Sequence, residues 1–454
     1  MPLEEWEAAP TQHGFKGGDL FGVIDKLDYL VDLGVNAIYL TPIFQSTANH
    51  RYHTHDFFRV DPLLGGEPAF RQLLDAAHQK GMRVVLDGVF NHASRGFFQF
   101  NHILENGDQS PYLDWFHIRS WPLYAYDPVD APPGYEAWWG LKALPKFNTS
   151  APAVRQFLLS VASYWIDLGI DGWRLDVPNK IDDNTFWQEF RHVVKSRNSE
   201  AYIVGEIWGP AERWLQGDQF DAVINYQFMR ACIEFFIGAS GDRDLMQNGY
   251  GTPEPADAMA FASKIDALRR SYPPTMTAAM LNPLDSHDTP RFLSMARGDE
   301  SALRMAILMV MTYPGAPSIF YGDEIGLTGG RDPAMRPGMI WEPSRWNVGL
   351  REHIQRCIAL RRAHPALRAG SYETLLASGP VYVFARGDDN ELFVVAFNTG
   401  SEPVLISLPV PAFRLPVTQL RDVWQSNVYA VVDASISGIK LAPRAGIVLC
   451  RVAD

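Results

Sequence analysis

A barrel of eight parallel strands, each followed by a helix, is the fold class that this 454-residue sequence predicts. Three observations predict it. Short apolar runs alternate with stretches of helical periodicity along most of the chain. The runs are continuously apolar, which marks strands buried on both faces. Several end on carboxylates or imidazoles, and barrels of this class collect their chemistry at the C-terminal ends of the strands. A doubly wound open sheet is the competitor, but no glycine-rich phosphate loop follows the first strand.

The elements follow in order. Gly17-Gly18-Asp19 opens a helix to about Leu33, with Leu20, Ile24, Leu27 and Leu30 at helical spacing and Gly34 as its stop. Val35 to Leu40, closed by Thr41-Pro42, reads as a strand. A helix from about Glu67 to Lys80, stopped by Gly81, precedes the strand Val84 to Asp87. A helix from about Ala151 to Leu168, stopped by Gly169, precedes Ile170 to Val177. A helix from about Asn184 to Lys195 precedes Ala201 to Glu206. Phe57 to Val60, Ala222 to Asn225, Thr277 to Leu281 and Pro317 to Tyr321 complete eight strand candidates.

Residues 93–150 are too long a connection for a plain loop; they hold many aromatics and several prolines, and are expected to form an excursion domain. The barrel is then assigned to 1–92 and 151–370. From 371 to 454 the texture changes to short β-rich segments separated by turn residues, a small antiparallel β-sandwich.

Composition bounds the function. A net charge of -12 with no basic tract argues against nucleic acid. No stretch is long and apolar enough to span a membrane. Cys232, Cys357 and Cys450 are odd in number and far apart, which fits neither a disulfide framework nor a zinc site. Free thiols and an acidic N-terminus without an apolar run point to the cytoplasm. Aromatics are plentiful, with 13 Trp, 17 Tyr and 26 Phe, enough for a large core and for a ring-lined cleft that takes flat sugar faces.

The chemistry centres on Gly172-Trp173-Arg174-Leu175-Asp176-Val177. Arg174 and Asp176 are two apart, so on a strand they point to one side. A guanidinium beside Asp176 is expected to hold it ionised, ready to act as a nucleophile. A structural ion pair is the plain alternative. Other strand ends change the balance: Asp87 to His92, then Glu206 with Trp208, then Asp285-Ser286-His287-Asp288. Acids gathered in one cleft repel one another, so stability alone explains them poorly. Paired carboxylates with no Ser-His pair and no metal cluster fit glycoside hydrolysis, which needs one acid protonated and one ionised. Glu206 has no cationic neighbour in sequence and is expected to be the proton donor.

Asp87 to His92, Gly172 to Asp176, Glu206 and His287-Asp288 resemble, in order, the four signature regions of the α-amylase family, glycoside hydrolase family 13. The resemblance implies that Asp176 is the nucleophile, Glu206 the acid/base, and Asp288 the residue that grips the ring hydroxyls and favours its distortion. It implies that His92, His287 and Arg174 surround the sugar at the cleavage point and that Tyr52 stacks on it. Trp208 joins the substrate-binding residues, and Asp332 and Arg336 resemble a further gripping pair. Asp87 and Asn91 are expected to pin loops. Leu144-Pro145-Lys146-Phe147-Asn148 resembles the neopullulanase, cyclomaltodextrinase and maltogenic amylase group, which acts on small cyclic or branched α-glucans.

Two departures stand out. The group's N-terminal β-domain, which helps build a dimer, is not in this sequence, so a homodimer is an open expectation. Where the group usually has Val-Ala-Asn-Glu, this chain reads Val177-Pro178-Asn179-Lys180, reversing a charge on the acceptor side. No metal or other cofactor is expected; the partner is an oligosaccharide. A retaining α-glucan hydrolase leads, cleaving α-1,4 and, as an option, α-1,6 bonds. A transglycosylase or trehalose-forming isomerase on the same scaffold is the first rival, and a non-catalytic family member the second.

Overall fold

The computed structural model describes residues 3–126, 130–247, 251–409, 417–433 and 435–452. They fall into two compact units: 13–224 with the residues up to Glu5, and 225–454 with Trp6–Gln12.

The first unit is built on a parallel sheet. Its strands are β1 (Ala37–Leu40), β4 (Arg83–Gly88), β5 (Gly172–Leu175), β6 (Tyr202–Gly205) and β7 (Ala222–Val223), adjacent in that order. β2 (Phe44–Ser46) and β3 (Thr54–Val60) form a separate antiparallel hairpin. This corrects one expectation, for Phe57 to Val60 is not a strand of the parallel sheet. Its two phenylalanines are not a continuous fully buried run: Phe57 is buried against Phe97 at 5.7 Å, while Phe58 is half-buried, edge-on to Phe157 and Tyr164.

The helices follow their cap signals. Residues 20–33 form two short helices, α1 (Leu20–Asp25) and α2 (Leu27–Leu33), broken at Lys26. Asp19 caps the first by accepting from the Gly22 N–H at 2.8 Å. Gly34 ends the second at φ 98°, a left-handed conformation that suits glycine. α3 (Gly66–Gln79), α4 (Phe98–Asn106), α5 (Pro152–Leu168) and α6 (Asn184–Arg197) follow. Trp165 of α5 is fully buried, stacked on Phe44 at 4.9 Å and edge-on to Phe70 at 5.5 Å. Truncating such a side chain to alanine costs about 3–5 kcal/mol.

In the second unit β8 (Leu281–Asn282) pairs in parallel with β9 (Ala316–Pro317). Seven parallel strands thus occur among the described residues. The strand expected over Thr277 to Leu281 is instead a helix, Pro274–Ala279, with β8 after it. Pro273-Pro274 supplies the reason, since proline in the first helical turn presets helical φ. The strand expected over Pro317 to Tyr321 shrinks to β9.

The C-terminal strands are β10 (Ser371–Ser378), β11 (Val381–Gly387), β12 (Leu392–Asn398), β13 (Val404–Pro409), β14 (Gln419–Asp422), β15 (Val428–Val432), β16 (Ser435–Leu441) and β17 (Ala445–Arg451). They make one antiparallel sheet in the order β10-β11-β12-β17-β14-β15-β16-β13. Val383, Ala385, Val394 and Ala396 meet Ile406, Ile436 and Ile439 in a common core. The other faces of β11 and β12 are buried too. Tyr382 packs edge-on to Phe261 at 5.0 Å and Phe397 to Phe236 at 5.1 Å. Among the described residues no helix is long and apolar enough to cross a membrane.

Candidate active site

Sheet register builds the first cluster. Asp87 on β4 is the register partner of Arg174 on β5, so carboxylate and guanidinium meet across adjacent strands. Arg174 Nη1 lies 2.8 and 3.0 Å from the two oxygens of Asp87. The same nitrogen donates to Asp176 Oδ1 at 2.9 Å, and Nη2 lies 2.8 Å from Glu206 Oε1. One buried guanidinium therefore serves three carboxyl groups. Glu206 has no cationic neighbour in sequence, but in space Arg174 reaches it from the neighbouring strand.

Asp87 also accepts from Tyr52 Oη at 2.9 Å and Tyr39 Oη at 3.1 Å. Its role is to orient Arg174 and both tyrosines. Burial pushes Asp87 up to about 6, against the pull of Arg174 and the Tyr52 hydroxyl. Burial also pushes Asp176 well above the usual carboxylate range, with Arg174 opposing and Glu206 and Asp87 reinforcing. The proton that such a cluster retains belongs to the group of acids rather than to one residue. The sequence expectation of an Asp176 held simply ionised by a private arginine is corrected in this respect.

Beside that ion pair, Glu206 accepts a hydrogen bond from the Val177 N–H to Oε2 at 3.2 Å. Val177 supplies it from a left-handed conformation, φ 36° and ψ 49°. Trp208, half-buried, follows Glu206 beyond the end of β6.

His92 is buried, and burial drives its pKa down to about 3, helped by His53 and His50 against the pull of the Tyr52 carbonyl. Its Nδ1 faces Asn91 Nδ2 at 3.2 Å, whereas Nε2 is buried without a hydrogen-bond partner among the described residues. Trp138 lies parallel to it, at 6.2 Å and 3°.

The second unit carries its own cluster. His287 Nε2 is 3.1 Å from Asp288 Oδ2. Arg336 donates from Nε to the His287 carbonyl at 2.9 Å, and its Nη2 lies 3.1 Å from Asp332 and 3.8 Å from Asp288. The pair inferred from Asp332 and Arg336 therefore does meet, and it holds the loop that carries His287 and Asp288.

The α-amylase catalytic-domain model matches residues 7–369. The chain belongs to the α-amylase family of glycoside hydrolases. Its predicted fold class, the family's (β/α)8 barrel followed by an antiparallel β-domain, stands accordingly. A cyclomaltodextrinase from Geobacillus thermopakistaniensis is 44% identical over 89% of this chain and 66% of its own length. The chain thus spans about two thirds of that relative. The solved structure of Ttha1563 from Thermus thermophilus superposes with a TM-score of 0.95 at 49% identity, covering 100% of this chain and 94% of that one. Cyclic α-maltosyl-(1→6)-maltose hydrolase from Arthrobacter globiformis gives 0.87 at 35% identity, covering 100% and 94%.

Four features of these α-amylase-family clusters are not legible as such in the sequence, although Asp285 and Trp138 are already among the residues singled out. Tyr39 lies one residue before the end of β1, a position it shares with many core residues. The Val177 N–H and Trp138 depend on backbone conformation. The fourth is the buried trio of Asp285, Asp323 and Arg291, in which Arg291 Nη1 meets Asp323 Oδ1 at 2.8 Å.

Proposed function

We propose that the chain is a retaining hydrolase of small cyclic or branched maltooligosaccharides, cutting α-1,4 and also α-1,6 glucosidic bonds. Asp176 attacks the anomeric carbon while Glu206 protonates the departing glycosidic oxygen. Water, activated by Glu206, then releases the sugar from Asp176. Arg174 and Asp87 orient the pair. Tyr52, His92, Trp208, His287, Asp332 and Arg336 bind substrate, and Asp288 grips its ring hydroxyls, as the family resemblance implies.

The observation that supports this best is the bridging of Asp176 and Glu206 by Nη1 and Nη2 of one guanidinium. A retaining pair stands about 5–5.5 Å apart, and a shared guanidinium suits that spacing. The names of the relatives, a cyclomaltodextrinase and a cyclic maltosyl-maltose hydrolase, favour short and cyclic substrates. The proposal includes a barrel of 1–92 and 151–370, an excursion of 93–150, a β-sandwich of 371–454, a cytoplasmic location and a homodimer.

Digestion of maltohexaose, β-cyclodextrin, cyclic maltosyl-maltose, pullulan and starch at equal glucose equivalents tests the reading. The cyclic or short substrates should be cut fastest, with the α-anomer appearing first by NMR. A β-anomer product excludes the mechanism, and starch as best substrate excludes the specificity. Trehalose formed from maltose identifies an isomerase instead.

A further inference from the structure

We propose that Trp6 and Tyr321 are positioning residues for Arg336, acting through the backbone of the segment that carries it. The inference rests on the α-glucan reading above, in which Arg336 and Asp288 bind the sugar, and adds what holds them in place.

Arg336 lies in Met335-Arg336-Pro337-Gly338-Met339, a stretch outside helix and sheet. Pro337 has no N–H and cannot join a ladder. Carbonyls that a sheet would pair need other donors there, and side chains supply them. The Met335 carbonyl accepts from Arg291 Nε at 3.1 Å. The Pro337 carbonyl accepts from Tyr321 Oη at 2.6 Å, and the Met339 carbonyl from Trp6 Nε1 at 2.7 Å. Every second carbonyl is thus held, by donors from three separate parts of the chain.

Core packing does not account for two of these donors, because Trp6 is 36% and Tyr321 40% exposed. What each delivers is its polar end. The approach of Trp6 is close. A Cβ on Gly338 would stand 2.3 Å from the Trp6 carbonyl oxygen and 3.0 Å from its Nε1, so only glycine admits it. The neighbouring Glu7 lies 2.7 Å from Arg345, an exposed pair that adds little by itself. The held segment in turn places Arg336. Its Nε donates to the His287 carbonyl at 2.9 Å, and its Nη2 lies 3.1 Å from Asp332 and 3.8 Å from Asp288. A shift of the segment therefore moves the guanidinium and the loop that carries Asp288. A misplacement of about 1 Å at a reacting centre lowers the rate by up to about a hundredfold.

Trp6→Phe and Tyr321→Phe each keep an aromatic ring and remove the donor. On maltohexaose each should lower kcat about fivefold, the worth of one hydrogen bond, with KM little changed, because Asp288 acts mainly on the distorted ring. Arg336→Lys supplies the coupling test. In that background either substitution should lower kcat less than about twofold. Losses that multiply in full show that the two residues act by another route and overturn the proposal. An unchanged kcat in the single variants also overturns it, as does a loss carried by KM alone. If Trp6→Phe does not fold, Tyr321→Phe decides by the same criteria. If the wild-type chain cleaves no α-glucan, the hydrolase reading fails, and hydrogen–deuterium exchange decides the positioning. Faster exchange in either variant should be confined to residues 329–346 and 285–291. Exchange that is unchanged there, or faster throughout the chain, sinks the proposal.

Discussion

The Val177 N–H donates to Glu206 Oε2 at 3.2 Å from a backbone conformation that a β-branched residue seldom occupies. Asp176 precedes it and Pro178 follows it. Proline disfavours the right-handed helical region for the residue before it, and the left-handed turn is what aims the amide at the glutamate. Left-handed geometry costs a non-glycine residue roughly 1–2 kcal/mol. Glycine would remove that strain but would gain freedom in the unfolded chain, offsetting about 0.4–1 kcal/mol. Val177→Gly should therefore melt within a few degrees of wild type. With the turn loosened, kcat should fall about tenfold while KM changes little, as for an interaction that matters most in the transition state. Calorimetry and steady-state kinetics check both; an intact kcat means that the amide does not position Glu206.

Asp176→Asn separates binding from chemistry. Arg174 keeps its contacts with Asp87 and Glu206, so the cluster should remain assembled. Loss of the nucleophile should lower kcat by at least about a thousandfold. Maltohexaose should still bind, as read by titration calorimetry. Activity within about tenfold of wild type would remove Asp176 from the nucleophile's role.

How far the sequence speaks can be judged from these same residues. Arg174 and Asp176 share a side because strand periodicity is local, and that was legible. That Asp87 lies opposite Arg174 depends on sheet register, which two separate segments set together. One guanidinium among three acids was therefore out of reach, and with it the sharing of a proton among them. Continuous apolar runs located β4, β5 and β6 well. The same signal failed at Phe57 to Val60, where one phenylalanine is buried and its neighbour is not. It failed again at Thr277 to Leu281, where Pro273-Pro274 outweighed the run. Trp138 was visible as one of many aromatics, but its place beside His92 follows from a left-handed turn that composition does not announce.

His92 makes stability depend on acid. Its pKa falls from 6.5 to about 3 on folding, mainly because burial penalises the charged ring. Between those values the unfolded chain binds the proton and the folded chain does not. Stability should thus fall as pH drops below 6.5, by up to about 1.4 kcal/mol per pH unit, until the folded ring titrates too. His92→Asn cannot take up this proton. Urea midpoints from about pH 7 to about pH 4 should fall more steeply for wild type than for the variant. Parallel curves would mean that other groups govern acid unfolding.

The acid pair beneath the His287–Asp288 loop predicts the opposite limb. Asp285 and Asp323 share a hydrogen bond in a buried setting, and Asp285 Oδ2 also accepts the Phe292 N–H at 2.6 Å. Burial first, and then the charge of Asp285, push Asp323 well above the ordinary carboxylate range, with Arg291 opposing. Asp323 therefore keeps its proton and donates to Asp285. A raised folded-state value means that the folded chain holds a proton which the unfolded chain has lost. The contribution to stability is full at low pH and disappears as pH rises through the folded value. Above it, two buried carboxylates face each other with one arginine between them. Asp323→Asn keeps a donor toward Asp285 and cannot ionise. Its stability should decline less than that of wild type as pH rises through the raised folded-state value into the alkaline range. Because Asp285 lies two residues before His287, activity should show the same contrast, with the variant retaining more at alkaline pH. Superimposable alkaline profiles, in melting and in rate, would show that the pair carries no shared proton.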